Sequence, residues 1–160
     1  MDCDIRTMAA YLASMRQRVE QEGWIIQECE GKDGLPTRCY TVGLTALRHP
    51  EIILLGFTTD VMSRLLHRAS QQVHAGKRFA DWAVARGIAQ HYPVVFRELE
   101  AKPARQYTVM ASRIYKDYRV VQMFLPDANA HFPWREGCAA RYKRQLCSAY
   151  VSSSAGVCVL

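Results

Sequence analysis

Two short segments of this 160-residue chain put polar side chains where an apolar run meets a turn. The first is Tyr40-Thr41-Val42-Gly43-Leu44-Thr45, followed by His49-Pro50-Glu51. The second is Gln122-Met123-Phe124-Leu125-Pro126-Asp127, followed by Phe132-Pro133-Trp134. Side chains at the ends of buried strands are held rigidly and can still be reached, which suits binding or catalysis. His49 and Glu51 are two residues apart, so on one strand they would share a face as an acid–base or metal pair. Asp127 would complete a hard-metal or general-base site. The competing reading is that His49 and Glu51 shape the link between two strands while Pro50 sets its turn. Gln122 lies in an apolar run, and its buried amide must find partners in either a structural network or a ligand. Trp134, with Phe132 and Trp24, would line a pocket for a planar ligand or cover an edge of the core. The candidate ligand-binding set is Tyr40, Thr41, His49, Glu51, Gln122, Asp127 and Trp134.

Other reactive residue types carry less. Cys39 has no activating base beside it in sequence, and a strand cysteine of that kind packs. His131 stands four residues past Asp127. Gly43 belongs to neither G-x-G-x-x-G nor a Walker pattern. The six cysteines make no C-x-x-C pair, so a zinc ribbon or a thioredoxin-like motif lacks support. Three metal ligands at a usable spacing are not evident, and no motif names a cofactor.

These residues need elements to position them. Ile5, Met8, Leu12, Met15 and Val19 recur at helical spacing, which predicts a helix over 5–22 ended by Gly23. Residues 24–29 read as a strand, with a Gly/Pro loop after them. Arg38 to Leu44 and the apolar run Glu51 to Phe57 read as two strands paired in an antiparallel hairpin. Thr58 or Thr59 caps a helix with the stripe Val61, Leu65, Leu66, Ala69 and Val73, ended by Gly76. Residues 80–92 suggest a short helix, and 93–99 a strand. A helix over 104–116 with Tyr107, Met110, Ala111 and Ile114 inward precedes a strand over 118–125. A loop follows, then a last helix over 136–150. This order is not a regular β–α–β alternation. It predicts an α+β fold, a mostly antiparallel sheet of about five strands with helices packed on it. One domain is expected over 1–151, with a disordered tail over 152–160.

With 49% apolar residues the chain has material for a core. No apolar run approaches the ~20 residues needed to span a bilayer, and the first residues do not resemble a signal peptide. A cytoplasmic chain with reduced cysteines and no membrane association is the expectation. The net charge of +6 is uneven: residues 101–144 carry nine basic against three acidic side chains. Arg141, Lys143 and Arg144 fall in this part. It would face an acidic partner or, less readily for want of a nucleic-acid motif, nucleic acid.

Taken together, the two segments resemble the signature of an uncharacterised, mainly bacterial family, the domain of unknown function 4262. Its pattern is Gly-Trp, then Tyr-Thr-x-Gly-Leu, His-Pro-Glu, and a closing Gln-x-x-Trp-Pro-Asp-x-x-Gly-x-Phe-Pro-Trp. The matching residues are Gly23, Trp24, Tyr40, Thr41, Gly43, Leu44, His49, Pro50, Glu51, Gln122, Pro126, Asp127, Phe132, Pro133 and Trp134. Leu125 stands where that pattern has Trp, and Ala130 where it has Gly. Alanine accepts a positive φ less readily than glycine, which predicts a loop of different shape here. The resemblance brings no activity with it.

Three functions compete. The first is a protein-interaction module of the immunity or antitoxin kind, with Arg141, Lys143 and Arg144 towards an acidic protein. The second is a small-molecule-binding or metal-assisted enzyme with its site at the ends of strands 38–44 and 118–125. The third is nucleic-acid binding through the basic surface.

Overall fold

The computed structural model describes residues 2–146. Helix α1 (Asp2–Glu22) leads into strands β1 (Ile25–Cys29), β2 (Arg38–Val42) and β3 (Glu51–Leu55). Helix α2 (Thr59–His74) is followed by β4 (Val84–Ala85) and β5 (Val94–Glu98). Helices α3 (Ala101–Tyr107) and α4 (Val109–Ile114), strand β6 (Val120–Phe124) and a short α5 (Ala140–Lys143) complete the order. The sheet has six strands in the order β1-β2-β3-β6-β5-β4, one more than the sequence suggested. Only β3 and β6 run parallel, with Glu51 beside Val120; every other pairing is antiparallel. The fold is α+β.

Alternation along the strands divides the core. Cys39, Ile52, Leu54, Val121 and Met123 turn to one face, under the buried stripe of α2. Tyr40, Val42, Ile53, Leu55 and Val120 turn to the other, under α1, α3 and α4. Thr58 caps α2, its hydroxyl accepting from the Val61 N–H at 3.4 Å. The buried stripe is Met62, Leu65, Leu66, Ala69, Ser70 and Val73, and each large apolar member contributes on the order of 2 kcal/mol by leaving water. No helix among the described residues is long and apolar enough to cross a membrane.

Three expectations change. Residues 80–92 hold no helix; they supply the two-residue edge strand β4. The helix expected over 104–116 is two, broken at Thr108. The Thr108 hydroxyl donates to Ala104 O at 2.6 Å and meets the Tyr118 hydroxyl at 2.8 Å, so the side chain competes with helix propagation. Among the described residues the last helix is α5 alone, and the end expected for it, with the tail over 152–160, lies outside the described residues.

Candidate functional site

The first segment folds around Glu51. Its carboxylate is inaccessible and accepts five hydrogen bonds, four from the link between β2 and β3 and one from Thr41 of β2. Gly43 N–H and Thr45 N–H donate to Oε1, each at 3.0 Å, and the Thr45 hydroxyl at 2.8 Å. Leu44 N–H at 3.3 Å and the Thr41 hydroxyl at 2.6 Å donate to Oε2. Thr41 Oγ1 in turn accepts from Ile52 N–H at 2.9 Å. The residues 44–47 form a single 3-10 turn whose leading N–H groups have no partner of their own, and Glu51 satisfies them. Gly43 is required at the start of this turn. Its φ is +131°, and a Cβ there would lie 2.7 Å from Gly23 O. Burial raises the Glu51 pKa above its ordinary value, against the opposing pull of the donors.

His49 is not on the strand with Glu51, so the two do not share a face as an acid–base pair. It lies in the link, 3% exposed, and both ring nitrogens are used. Phe79 N–H donates to Nε2 at 2.9 Å, which leaves the proton on Nδ1 to be donated to Pro50 O at 2.6 Å. The ring is edge-on to Phe79. Burial lowers its pKa, so the neutral ring is the form that fits. The Tyr40 hydroxyl, also buried, accepts from Met110 N–H at 3.0 Å and ties α4 to β2. Burial pushes its pKa up.

The second segment builds a different structure. Asp127 is 3% exposed and accepts from Asn129 N–H and His131 N–H through Oδ1, and from Ala139 N–H through Oδ2. These bonds, led by the one from Ala139, hold its carboxyl below the usual range. Ala130 keeps a left-handed φ of +63°, so the glycine-to-alanine departure leaves this turn in the conformation glycine favours. Gln122 is inaccessible and donates to Gln145 O. Gln145 closes the network, pairing with Leu125 N–H and Leu125 O at 2.8 Å each. Trp134 sits in an aromatic cluster, stacked on Phe132 and edge-on to Phe124 and Trp82.

The two segments do not converge. Glu51 stands beside Val120 at the start of β6, and the strand advances about 13 Å from Val120 to Phe124 at ~3.3 Å per residue. Asp127 lies beyond that end. The structure therefore gathers Thr41, His49 and Glu51 at one end of the sheet and Asp127 and Trp134 at the other, with Gln122 between. Groups so placed cannot share one reacting atom. Among the described residues no group of three His, Cys, Asp or Glu side chains could hold a metal ion. Cys39 is inaccessible and its thiol is pushed up to about 12 by burial, which removes it as a nucleophile at neutral pH.

The basic residues open onto something else. Past the C-terminal end of β3 lies a groove of about 800 Å³. Pro36, Phe57, Val61 and Tyr142 give it apolar walls, with Thr37 and Thr58 between them, and Arg141 and Arg144 stand beside Tyr142. Phe57 meets Tyr142 edge-on at 5.8 Å, and the Arg141 guanidinium lies 5.0 Å from the Tyr142 ring. Gly56 makes this arrangement possible. Its φ is +86°, and a Cβ would lie 2.9 Å from the Arg144 carbonyl carbon. Lys143 is exposed on α5 but does not line the groove. In the sequence these arginines stand out by charge alone, and Phe57, Val61 and Tyr142 fall within strand and helix patterns.

Comparison with curated proteins and with solved structures found no match. The family model for the Domain of unknown function (DUF4262) matches residues 18–139, a span that holds the Glu51 turn, the Asp127 loop and the whole sheet. The chain belongs to that family.

Proposed function

We propose that this chain is a protein-interaction module that takes an acidic, partly apolar segment of a partner protein into the groove beside Arg141 and Arg144. One observation carries this reading: the ionisable side chains of both motif segments are already committed to internal partners. Glu51, His49 and Asp127 each bond to backbone groups that only they satisfy. An enzyme would need such a group free to exchange a proton or coordinate a ligand. The groove offers the opposite character, exposed guanidinium groups around an apolar floor. Aromatic and arginine side chains are the types that anchor protein interfaces. A role of the immunity or antitoxin kind, in a cytoplasmic setting, is one form of this reading.

The test uses two labelled peptides of equal length, one with Asp and Glu around a central Leu-Phe pair, the other with Asn and Gln in their place. Fluorescence anisotropy is read for the natural chain and for the double variant Arg141→Glu, Arg144→Glu. The acidic peptide is expected to bind at least about tenfold more tightly than its neutral counterpart, and the variant to lose that preference. Equal binding of the two peptides, or an unchanged preference in the variant, would refute the proposal.

A further inference from the structure

A second concavity lies at the other end of the sheet, where β3 and β6 begin. It has a volume of about 540 Å³, in the range of small-molecule sites. Arg48, Arg105 and Arg119 line it together with Thr45, Asp117 and Tyr118. The three arginines come from separate parts of the chain: the β2–β3 link, α3 and the lead into β6.

Their existing bonds differ. Arg119 makes a two-point ion pair with Glu98. Arg105 donates to Lys116 O, and its guanidinium lies 5.4 Å from the Tyr118 ring. Arg48 is exposed, and among the described residues its guanidinium has no hydrogen-bond or ion-pair partner. Its backbone is nevertheless unusual. Arg48 closes the 3-10 turn in the left-handed conformation, at φ +57° and ψ +38°. That position normally goes to Gly or Asn, because other side chains are strained there. Arg48 N–H donates to Thr45 O at 2.9 Å and His49 N–H to Leu44 O at 3.2 Å, which holds the strained residue in place. The Glu51 carboxylate and the His49 ring are buried and hydrogen-bonded, so the Arg48 backbone is held in place while its side chain stands exposed at the rim. A strained residue with an unpartnered charge, held at a cavity rim by its surroundings, is the kind of outlier that points to a ligand.

We infer that this cleft binds a phosphorylated small molecule, with Arg48 and Arg105 as the groups that grip the phosphate. A guanidinium presents parallel N–H donors that match two phosphate oxygens; the charge of Arg119 is largely offset by its pair with Glu98. Asp117 on the same rim repels any anion, so binding there must come from the guanidinium contacts themselves. The cleft is independent of the acidic-peptide groove; it shares no lining residue with it.

The experiment is a titration at constant ionic strength, by calorimetry and by thermal melting, with inorganic phosphate, pyrophosphate, glycerol 3-phosphate and malonate as probes. Three single-site variants are compared with the natural chain: Arg48→Gly, Arg48→Lys and Arg105→Gln. Glycine is at home at φ +57°, so Arg48→Gly should melt higher than the natural chain without ligand. It should also bind the best phosphorylated probe at least about tenfold more weakly. Arg105→Gln should weaken binding similarly, and Arg48→Lys less than Arg48→Gly. Arg141→Glu with Arg144→Glu should leave this affinity unchanged. The inference is overturned if no phosphorylated probe binds, or if malonate binds as well as the phosphates. It is also overturned if Arg48→Gly keeps full affinity, or if the Arg141 and Arg144 reversal abolishes binding.

Discussion

Replacing Glu51 separates a structural carboxylate from a catalytic one by the sign of the effect. Glu51→Ala leaves three backbone N–H groups without an acceptor, the buried ones of Gly43 and Leu44 and the half-buried one of Thr45. The two threonine hydroxyls can turn to other partners, but the amides are fixed. Each stranded amide costs about 1–3 kcal/mol, and water entering the vacated space recovers part of that. The net loss should be about 3–5 kcal/mol, a large share of the ~5–15 kcal/mol typical of a domain. Glu51→Gln keeps the shape and one acceptor oxygen, and should lose about 1–2 kcal/mol through one donor facing another. Urea unfolding reads both values, and amide exchange at residues 43–45 should accelerate in step. The pH dependence has a definite sign. Burial raises the Glu51 pKa, so the native state holds its proton to higher pH than the unfolded chain. The corresponding stability is full below the unfolded value, near 4.3, and is lost as pH rises through the raised value. Glu51→Gln should remove that dependence. A catalytic carboxyl kept at the expense of stability would behave oppositely: its removal would stabilise the fold. A Glu51→Ala chain as stable as the natural one, or more so, refutes the structural account.

Three other outcomes follow from the geometry. His49 has a lowered pKa, so its stabilising contribution is full above about 6.5 and is lost as pH falls through the folded value; melting curves of His49→Gln should lack this acid-side slope. Ala130→Gly should stabilise the chain by about 0.5–1 kcal/mol in urea unfolding, because φ +63° strains alanine and not glycine. Gly56→Ala should do the reverse, since its Cβ would collide with backbone 2.9 Å away; unfolding should cost about 1–3 kcal/mol less, with residues 142–146 becoming faster to exchange.

The sequence revealed what local patterns encode. Helix α2 was legible because Thr58, a spaced apolar stripe and Gly76 all mark it, and the β2–β3 hairpin because two apolar runs flank a turn-rich link. Strand β4 was hidden: it has two residues, its Val84 is exposed, and its pairing with Val95 is visible only in the sheet. The break at Thr108 needed Tyr118, ten residues on, to declare it. The candidate site was half legible for the same reason. Polar residues at strand ends identified Glu51, His49, Gln122 and Asp127 as unusual. Their partners lie at non-local positions, such as Phe79 for His49 and Gln145 for Gln122. Spacing therefore could not distinguish a reactive group from a satisfied one. Nor could it show that parallel pairing of β3 and β6 sends the two motif sites to opposite ends of these strands. Arg48 carried one usable signal, an arginine where a tight turn ends, but its meaning depends on a backbone angle that sequence does not print.

The most direct test of the central claim is an amide-resolved NMR titration of the whole chain with the acidic peptide. The account predicts shifts concentrated at Phe57, Val61 and Tyr142 around the groove, with the Glu51 turn and the Asp127 loop unmoved. Shifts centred on residues 41–51 or 127–134, with the groove silent, would contradict it and return those motif residues to the status of a binding or catalytic site.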